Sequence, residues 1–243
     1  MLKMLFCLLL LGCKGESDYD NTLLVGMSMD FPPFEYIENG KPVGFEVDLI
    51  NEIGAIIGKK VKLVDIDFPA IIGSLNAGKI DIGVSGFSVT DERKKAVDFA
   101  ECYYYPKIAV LIQNNTNIKT EDDLNNKKIG VQTGTTMELY LNNLKKKYPG
   151  LTIHSLSRNT HLVQELKLGR IDGVALENGQ AVAFSKKNSN ILTYAIVSED
   201  KNTCYSMVFR KKSPLTKKFS DAIIDLQKNG KLKELQDKWL YTE

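Results

Sequence analysis

The residues with the most pointed chemistry in this chain lie in one short stretch, Ser85-Gly86-Phe87-Ser88-Val89-Thr90-Asp91-Glu92-Arg93. The apolar run from Ile80 to Val84 precedes it and reads as a buried strand. Thr90 is a good helix N-cap, and the charged residues after it read as a helix start. A strand therefore delivers a small polar loop onto a helix N-terminus, which is where ligands bind in open α/β sheets. Arg93 is the odd residue: it falls about three positions inside the helix, at the positive end of the dipole. An anion at that N-terminus removes the conflict. Pairing of a solvated Arg93 with Asp91 or Glu92 removes it too.

Other residues extend the set. Gly134-Thr135-Thr136 opens a second helix, so its backbone N–H groups and dipole suit a carboxylate. Arg93 offers a bidentate fork to the same carboxylate, and Ser88 adds a hydroxyl. Glu177, the Gly86 carbonyl and the loop from Ser85 to Ser88 can accept hydrogen bonds from an ammonium. Phe31 and Phe68 can flank a side chain, with a cation–π attraction of about 0.5–2 kcal/mol if it is cationic. Each has an ordinary structural role open to it: core aromatic, plain cap, first residue of the next helix. Together they suit one small zwitterion.

Several chemistries are excluded. His154 and His161 match no zinc spacing. The chain has no GxSxG elbow, Walker loop or GxGxxG run, and nothing in it calls for a cofactor or a metal. The net charge of +2, with lysines scattered along the chain, gives no case for nucleic acid.

The elements that must position these residues are α/β in character. The length of 243 residues fits one large domain or two small ones, and 43% apolar with 26% charged residues is ordinary for a globular chain. Leu23 to Ser28 reads as a strand running into a rigid loop at Phe31-Pro32-Pro33-Phe34, and Glu38-Asn39-Gly40-Lys41 as a turn. Helices are expected over Phe45–Ile57, Phe68–Asn76, Met137–Lys147, Thr160–Leu168, Asn178–Lys187, from Ser213-Pro214 to Asn229, and over Lys231–Trp239. Strands are expected at Val61–Ile66, Ile108–Ile112, Ile129–Val131, Leu151–Leu156, Ile171–Leu176 and Tyr205–Phe209, and Thr120-Glu121-Asp122-Asp123 reads as a capped short helix. One pattern occurs twice. Leu75-Asn76-Ala77-Gly78-Lys79-Ile80-Asp81 precedes the Ser85 loop, and Leu166-Lys167-Leu168-Gly169-Arg170-Ile171-Asp172 precedes Glu177. The repeat points to two similar α/β lobes whose strand ends face one cleft.

The N-terminus reads as a leader. Met1-Leu2-Lys3 is a basic start, Leu5 to Leu11 is apolar and too short to span a bilayer, and Gly12-Cys13 resembles a lipobox. The expectation is a signal peptide over 1–12, lipidation of Cys13 and a polar tether over 13–21. Cys102 and Cys204 remain in the mature part, as a disulfide or as two buried thiols.

An ordered set of motifs carries a resemblance over about residues 22 to 240. Phe31-Pro32-Pro33-Phe34-Glu35, Gly44-Phe45-Glu46-Val47-Asp48-Leu49, Gly78-Lys79-Ile80-Asp81, Thr90-Asp91-Glu92-Arg93, Val131-Gln132-Thr133-Gly134-Thr135 and Trp239 resemble, in order, the extracellular solute-binding proteins, family 3, of polar amino-acid ABC importers. The resemblance implies a two-lobed periplasmic-binding-protein fold, each lobe a mixed sheet flanked by helices, joined by two hinge strands. It implies a first lobe over 22–106 and 205–243 and a second over 107–204. It implies that Arg93 and the Thr136 amide hold an α-carboxylate, that Gly86, Ser88 and Glu177 hold an α-ammonium, and that Phe31 and Phe68 flank the side chain. Glu177 stands where the family usually has Asp, and Ser28 where many members have Asp; Asp30, nearby, is expected to meet a cationic end instead. Ser85, Gln132 and Thr135 complete the expected site.

Some arginine-binding members resemble this Ser/Asp arrangement, so a free basic L-amino acid, arginine first, is the expected ligand, with glutamine close behind. The implied partner is a membrane permease, the implied location extracytoplasmic and membrane-anchored. Two other functions are compatible with the same scaffold. One is an enzyme of the cyclohexadienyl dehydratase type with Glu177 as general acid. The other is a sensing subunit that signals through a partner.

Overall fold

The computed structural model describes residues 21–198 and 203–240. Cys13, the leader and the tether up to residue 20 lie outside the described residues. From the N-terminus the chain forms β1 (Thr22–Met27), β2 (Asp30–Phe31), β3 (Glu35–Glu38), β4 (Lys41–Val43), α1 (Phe45–Ile56), β5 (Lys60–Asp65), α2 (Phe68–Asn76) and β6 (Ile82–Gly83). Then come α3 (Asp91–Ala96), β7 (Val97–Phe99), β8 (Ile108–Gln113), β9 (Lys128–Gln132), α4 (Thr136–Lys147), β10 (Thr152–Leu156) and α5 (Asn159–Lys167). The last are β11 (Gly173–Glu177), α6 (Asn178–Lys187), β12 (Leu192–Ser198), β13 (Val208–Arg210), α7 (Pro214–Lys228) and α8 (Lys231–Trp239).

These elements make two lobes. The first sheet has the order β5-β1-β6-β13-β7 and the second β10-β9-β11-β8-β12. In each, three parallel strands come first: β1 beside β5 and β6, and β9 beside β10 and β11. An antiparallel strand then follows, β13 next to β6 and β8 next to β11. Because β13 comes from the C-terminal part of the chain, the first sheet is assembled from both flanks of the segment that forms the second.

Each sheet is covered on both faces, so its central strands are apolar on both sides. Leu23, Val25 and Met27 of β1 pack on Ile50 and Ile53 of α1 and Ile223 of α7, while Leu24 faces the cluster of Ile71 and Leu75 from α2. In the second lobe Val110 and Ile112 of β8 meet Leu141 of α4, and Ala109 and Leu111 meet Leu162 and Leu166 of α5. The helix stops are those the glycines dictate: Gly58, Gly78, Gly169 and Gly230 all take positive φ. Asn39 and Gly40, both with positive φ, close the β3–β4 hairpin as the sequence turn requires.

The repeated Ile-Asp pattern has one physical meaning in both lobes. The Asp81 carboxylate accepts the Leu24 amide at 2.9 Å, and the Asp81 amide donates back to the Leu24 carbonyl at 2.8 Å. Asp172 does the same to Lys128, at 2.7 and 2.8 Å. Each aspartate fastens the turn after a helix to the strand beside it, and so fixes where the following strand ends.

Some expected elements differ. Of Ile80–Val84 only Ile82–Gly83 joins the ladder, because Asp81 is spent on that clasp. Of Tyr205–Phe209 the ladder takes Val208 onward, while Tyr205 forms isolated bridges to Ser88 and Tyr104. The helix expected at Thr120 is a single 3-10 turn, Asp122–Leu124, since Asp123 folds back onto the Lys119 and Thr120 amides. Strands β7 and β12 were not expected: β7 is three residues long, and β12 is an edge strand with an exposed face.

Two extended segments cross between the lobes side by side. The Tyr205 amide donates to the Tyr104 carbonyl at 2.7 Å and the Tyr103 amide to the Tyr205 carbonyl at 3.0 Å. A disulfide between Cys102 and Cys204 joins the same two segments.

Candidate functional site

The cleft between the two sheets holds a cavity, and the strand ends of both lobes line it. Phe31, Phe68, Ser85, Gly86, Ser88 and Arg93 contribute from the first lobe. Gln132, Thr135, Thr136 and Glu177 contribute from the second. Ten of the eleven expected ligand-binding residues therefore meet in one place.

Arg93 is held by contacts of three kinds: a helix cap, two carbonyls and two aromatic rings. Thr90 caps α3 by accepting the Arg93 amide at 3.2 Å. The guanidinium donates to the Ser88 carbonyl at 2.9 Å and, across the cleft, to the Gly134 carbonyl at 2.9 Å. It lies over the rings of Phe68 and Phe87, at 5.4 and 5.2 Å from their centroids, and these two rings stack on each other. Desolvation lowers its pKa to about 10, which still leaves it charged at neutral pH. Pairing with the neighbouring acids does not occur: Asp91 pairs with Lys94 and Glu92 with Lys95. Among the described residues Arg93 has no carboxylate partner.

The opposite wall is the N-terminus of α4. Thr135 caps it by accepting the Glu138 amide at 3.2 Å. Thr136 Oγ1 lies 3.1 Å from Ser88 Oγ, a second contact across the cleft and one between hydroxyls. The Gly134 amide itself is taken by Glu138 Oε2 at 2.7 Å, so Thr135 and Thr136 are the part of this turn that faces the cavity.

Glu177 ends β11 and is also the N-cap of α6. Oε2 accepts the Gln180 amide at 3.1 Å and Oε1 accepts the Tyr104 hydroxyl at 2.8 Å. Burial raises its pKa to about 7, against the lowering effect of these donors. It thus serves as a cap and as the acidic group of the cavity at once.

Phe31 is backed by Phe34 at 4.6 Å between centroids, and Phe68 by Phe87 at 4.7 Å. Gly86 has φ of 56°, and a Cβ there would stand 2.6 Å from the Phe31 ring. Glycine is what lets the loop lie under that ring.

Asp30 is the expected residue that the structure puts elsewhere. It does not line the cavity. Its Oδ1 accepts the Ser28 hydroxyl at 2.8 Å, and its Oδ2 accepts the amides of Asn159 and Thr160, at 2.5 and 3.4 Å, at the start of α5 in the other lobe. A buried carboxylate goes to backbone donors at the positive end of a helix when these are in reach. A contact over 129 residues leaves no trace in local sequence.

The sequence reading also missed the floor of the site. Glu35 and Glu46 are both completely buried beneath the Ser85–Gly86 loop. Ser85 Oγ donates to Glu35 Oε1 at 2.5 Å, and the Gly86 amide donates to both Glu46 oxygens at 3.0 and 3.2 Å. The Tyr103 hydroxyl donates to Glu46 as well. Burial raises both carboxyl pKa values, and the Glu46 charge pushes Glu35 further, well above the usual carboxylate range. A signal for Glu46 was present: it precedes Leu49 and Ile50 by three and four positions, on the apolar stripe of α1. Nothing in the sequence marks Asn159, which joins the cavity lining together with Met137 and Gln180.

Known proteins share the sequence pattern and the two-lobed fold of this chain. The family model described as bacterial extracellular solute-binding proteins, family 3, matches residues 23–242. The chain is 33% identical to the arginine-binding extracellular protein ArtP of Bacillus subtilis, over 95% of this chain and 90% of that protein. It is 33% identical to the L-cystine-binding protein TcyJ of Escherichia coli, over 90% of this chain and 82% of that protein. Among solved structures, an ancestral arginine-binding protein bound to glutamine is 36% identical and superposes with a TM-score of 0.85, over 90% of this chain and 97% of that one.

Proposed function

Because the chain belongs to the bacterial extracellular solute-binding proteins, family 3, we propose that it is the extracytoplasmic binding subunit of an amino-acid ABC importer and closes its two lobes over one free L-amino acid. The observation that carries this reading is a half-buried, charged Arg93 that has no acidic partner among the described residues, in the same cavity as Glu177. A cation and an acid set apart in one cleft match a zwitterion.

Arg93 and the Thr136 amide take the α-carboxylate; Gly86, Ser88 and Glu177 take the α-ammonium; Phe31 and Phe68 flank the side chain. Arginine is the first candidate, supported by the ligand named for the Bacillus subtilis relative. The lobes are assigned as 22–106 with 205–243, and 107–204, with the paired crossing segments at Tyr104 and Tyr205 as hinge. The protein is secreted through the leader at 1–12, anchored through lipid on Cys13, delivers its cargo to a membrane permease and performs no catalysis.

Thermal-shift screening of the purified chain against the common amino acids tests the reading. A marked rise with one basic amino acid is expected, by mass action. A flat response to all of them overturns it.

A further inference from the structure

Asp30 reaches the cavity without touching it. Its Oδ2 accepts the Asn159 amide at 2.5 Å, and the Asn159 side chain then donates from Nδ2 to Gln132 Oε1 at 3.1 Å. Gln132 in turn donates from Nε2 to the Ser157 carbonyl at 2.9 Å. Asn159 and Gln132 are 2% and 7% exposed, and both line the cavity. A carboxylate of one lobe thus fixes a pair of carboxamides in the other, and does so only while the lobes are together.

Four hydroxyls of the cavity already have partners, and Gln180, a third carboxamide of the lining, donates to the Asp30 carbonyl at 3.4 Å. Ser85 Oγ is bonded to Glu35, Ser88 Oγ and Thr136 Oγ1 to each other, and Thr135 Oγ1 to the Gln132 carbonyl. Each carboxamide has two N–H donors and an oxygen with two lone pairs. The bonds above use one N–H of each and one lone pair of Gln132, so the pair retains donors and acceptors. Arg158, next in sequence to Asn159, donates to Asp65 at 2.9 Å and Asp67 at 2.5 Å, and so brings the start of α5 onto the first lobe beside Asp30.

We infer that Asp30 is a positioning residue acting on the ligand through Asn159, and that the Gln132–Asn159 carboxamide pair, rather than a carboxylate, receives the ligand's side chain. The inference rests on the amino-acid-binding reading above. It assigns the side chain to a class: one ending in a planar nitrogen group, amide or guanidinium, which two carboxamides can bond in the plane. It also makes recognition of that end a property of the closed form.

Calorimetric titration of the full chain with L-arginine and L-glutamine tests it. Asp30→Asn is expected to weaken L-glutamine about tenfold, the worth of one hydrogen bond to a charged group. A counter-ion for a cationic ligand would leave glutamine unchanged, and that result overturns the inference. In an Asn159→Ala background the same Asp30→Asn change is expected to cost less than about threefold, because the two act in series. An undiminished loss in that background would make Asp30 a simple inter-lobe latch and overturns the inference as well. Asn159→Asp, which places a carboxylate among the cavity groups, should move the arginine-to-glutamine affinity ratio about tenfold or more toward arginine; Gln132→Ala should also change the ratio, and a ratio fixed in both variants counts against the pair. Ligand-free unfolding midpoints establish that each variant is folded. A wild-type chain that binds neither ligand but responds to another amino acid overturns this inference alone, while no response to any amino acid overturns the function beneath it.

Discussion

The Tyr104 hydroxyl, on a segment that crosses between the lobes, donates to Glu177 Oε1 at 2.8 Å. The hinge is therefore bonded directly to the acidic group of the cavity, which burial holds at a pKa of about 7. An ammonium needs that carboxylate ionised. Affinity for the amino acid is expected to be flat above pH 7 and to fall as the pH drops below it, toward tenfold per unit. Tyr104→Phe removes a donor that lowers the pKa, so the fall should begin at higher pH. Glu177→Gln should bind more weakly at pH 8 and lose the dependence. Titrations between pH 5.5 and about 8.5 check all three, and a wild-type profile without a step in that range refutes the role of Glu177.

Arg93 combines two carbonyl contacts and two aromatic faces with its place in the cavity. Arg93→Lys keeps the charge but loses the planar fork and the stacking. Both Arg93→Lys and Arg93→Ala are expected to cost about 100-fold or more in affinity for every amino-acid ligand. Calorimetry is the measurement, and retention of binding within threefold in the lysine variant would mean that the fork is not what holds the carboxylate.

Glu35 should lower stability at high pH. Its folded-state pKa is well above its ordinary value near 4.5, first through burial and then through the Glu46 charge. The native state therefore binds a proton that the unfolded chain releases, and the contribution present below pH 4.5 is lost as the pH rises. Glu35→Gln keeps an acceptor for Ser85 and carries no titrating proton. Its unfolding midpoint should match the wild type near pH 4.5 and exceed it at pH 8. A difference independent of pH would assign the effect to packing.

Gly86 tests the shape of the site. An alanine there would have to adopt φ of 56° with its Cβ 2.6 Å from Phe31. Gly86→Ala is expected to destabilise by about 1–3 kcal/mol and to abolish binding, because relief requires moving Phe31 out of the wall. Thermal unfolding and ligand titration of the same preparation separate the two effects.

How much of this was legible depended on range. Arg93 was legible because Thr90, three residues before it, sets the helix start, and a cation in that turn conflicts with the dipole. The second lobe was legible because the Asp81 and Asp172 clasps impose the same local sequence twice. Glu46 could have been found from its helical phase alone. Asp30 could not: its residue type was noticed, but its partners lie 129 and 130 positions away, and proximity in sequence to the Phe31 loop gave it the wrong neighbour. Strand β12 escaped notice because one face is solvated, with Tyr194 and Ile196 exposed, so it lacked the dense apolar run that marked β8.

The bond between Cys102 and Cys204 spans 102 positions of chain, and the ring it closes contains every strand of the second sheet. The second lobe is thus a covalent loop hung from a single clasp. A protease cut at any surface turn within it, such as Asn188–Ile191, would open the ring without parting the molecule. The nicked protein should migrate as one species on a denaturing gel and fall into two fragments only when a thiol reductant is added.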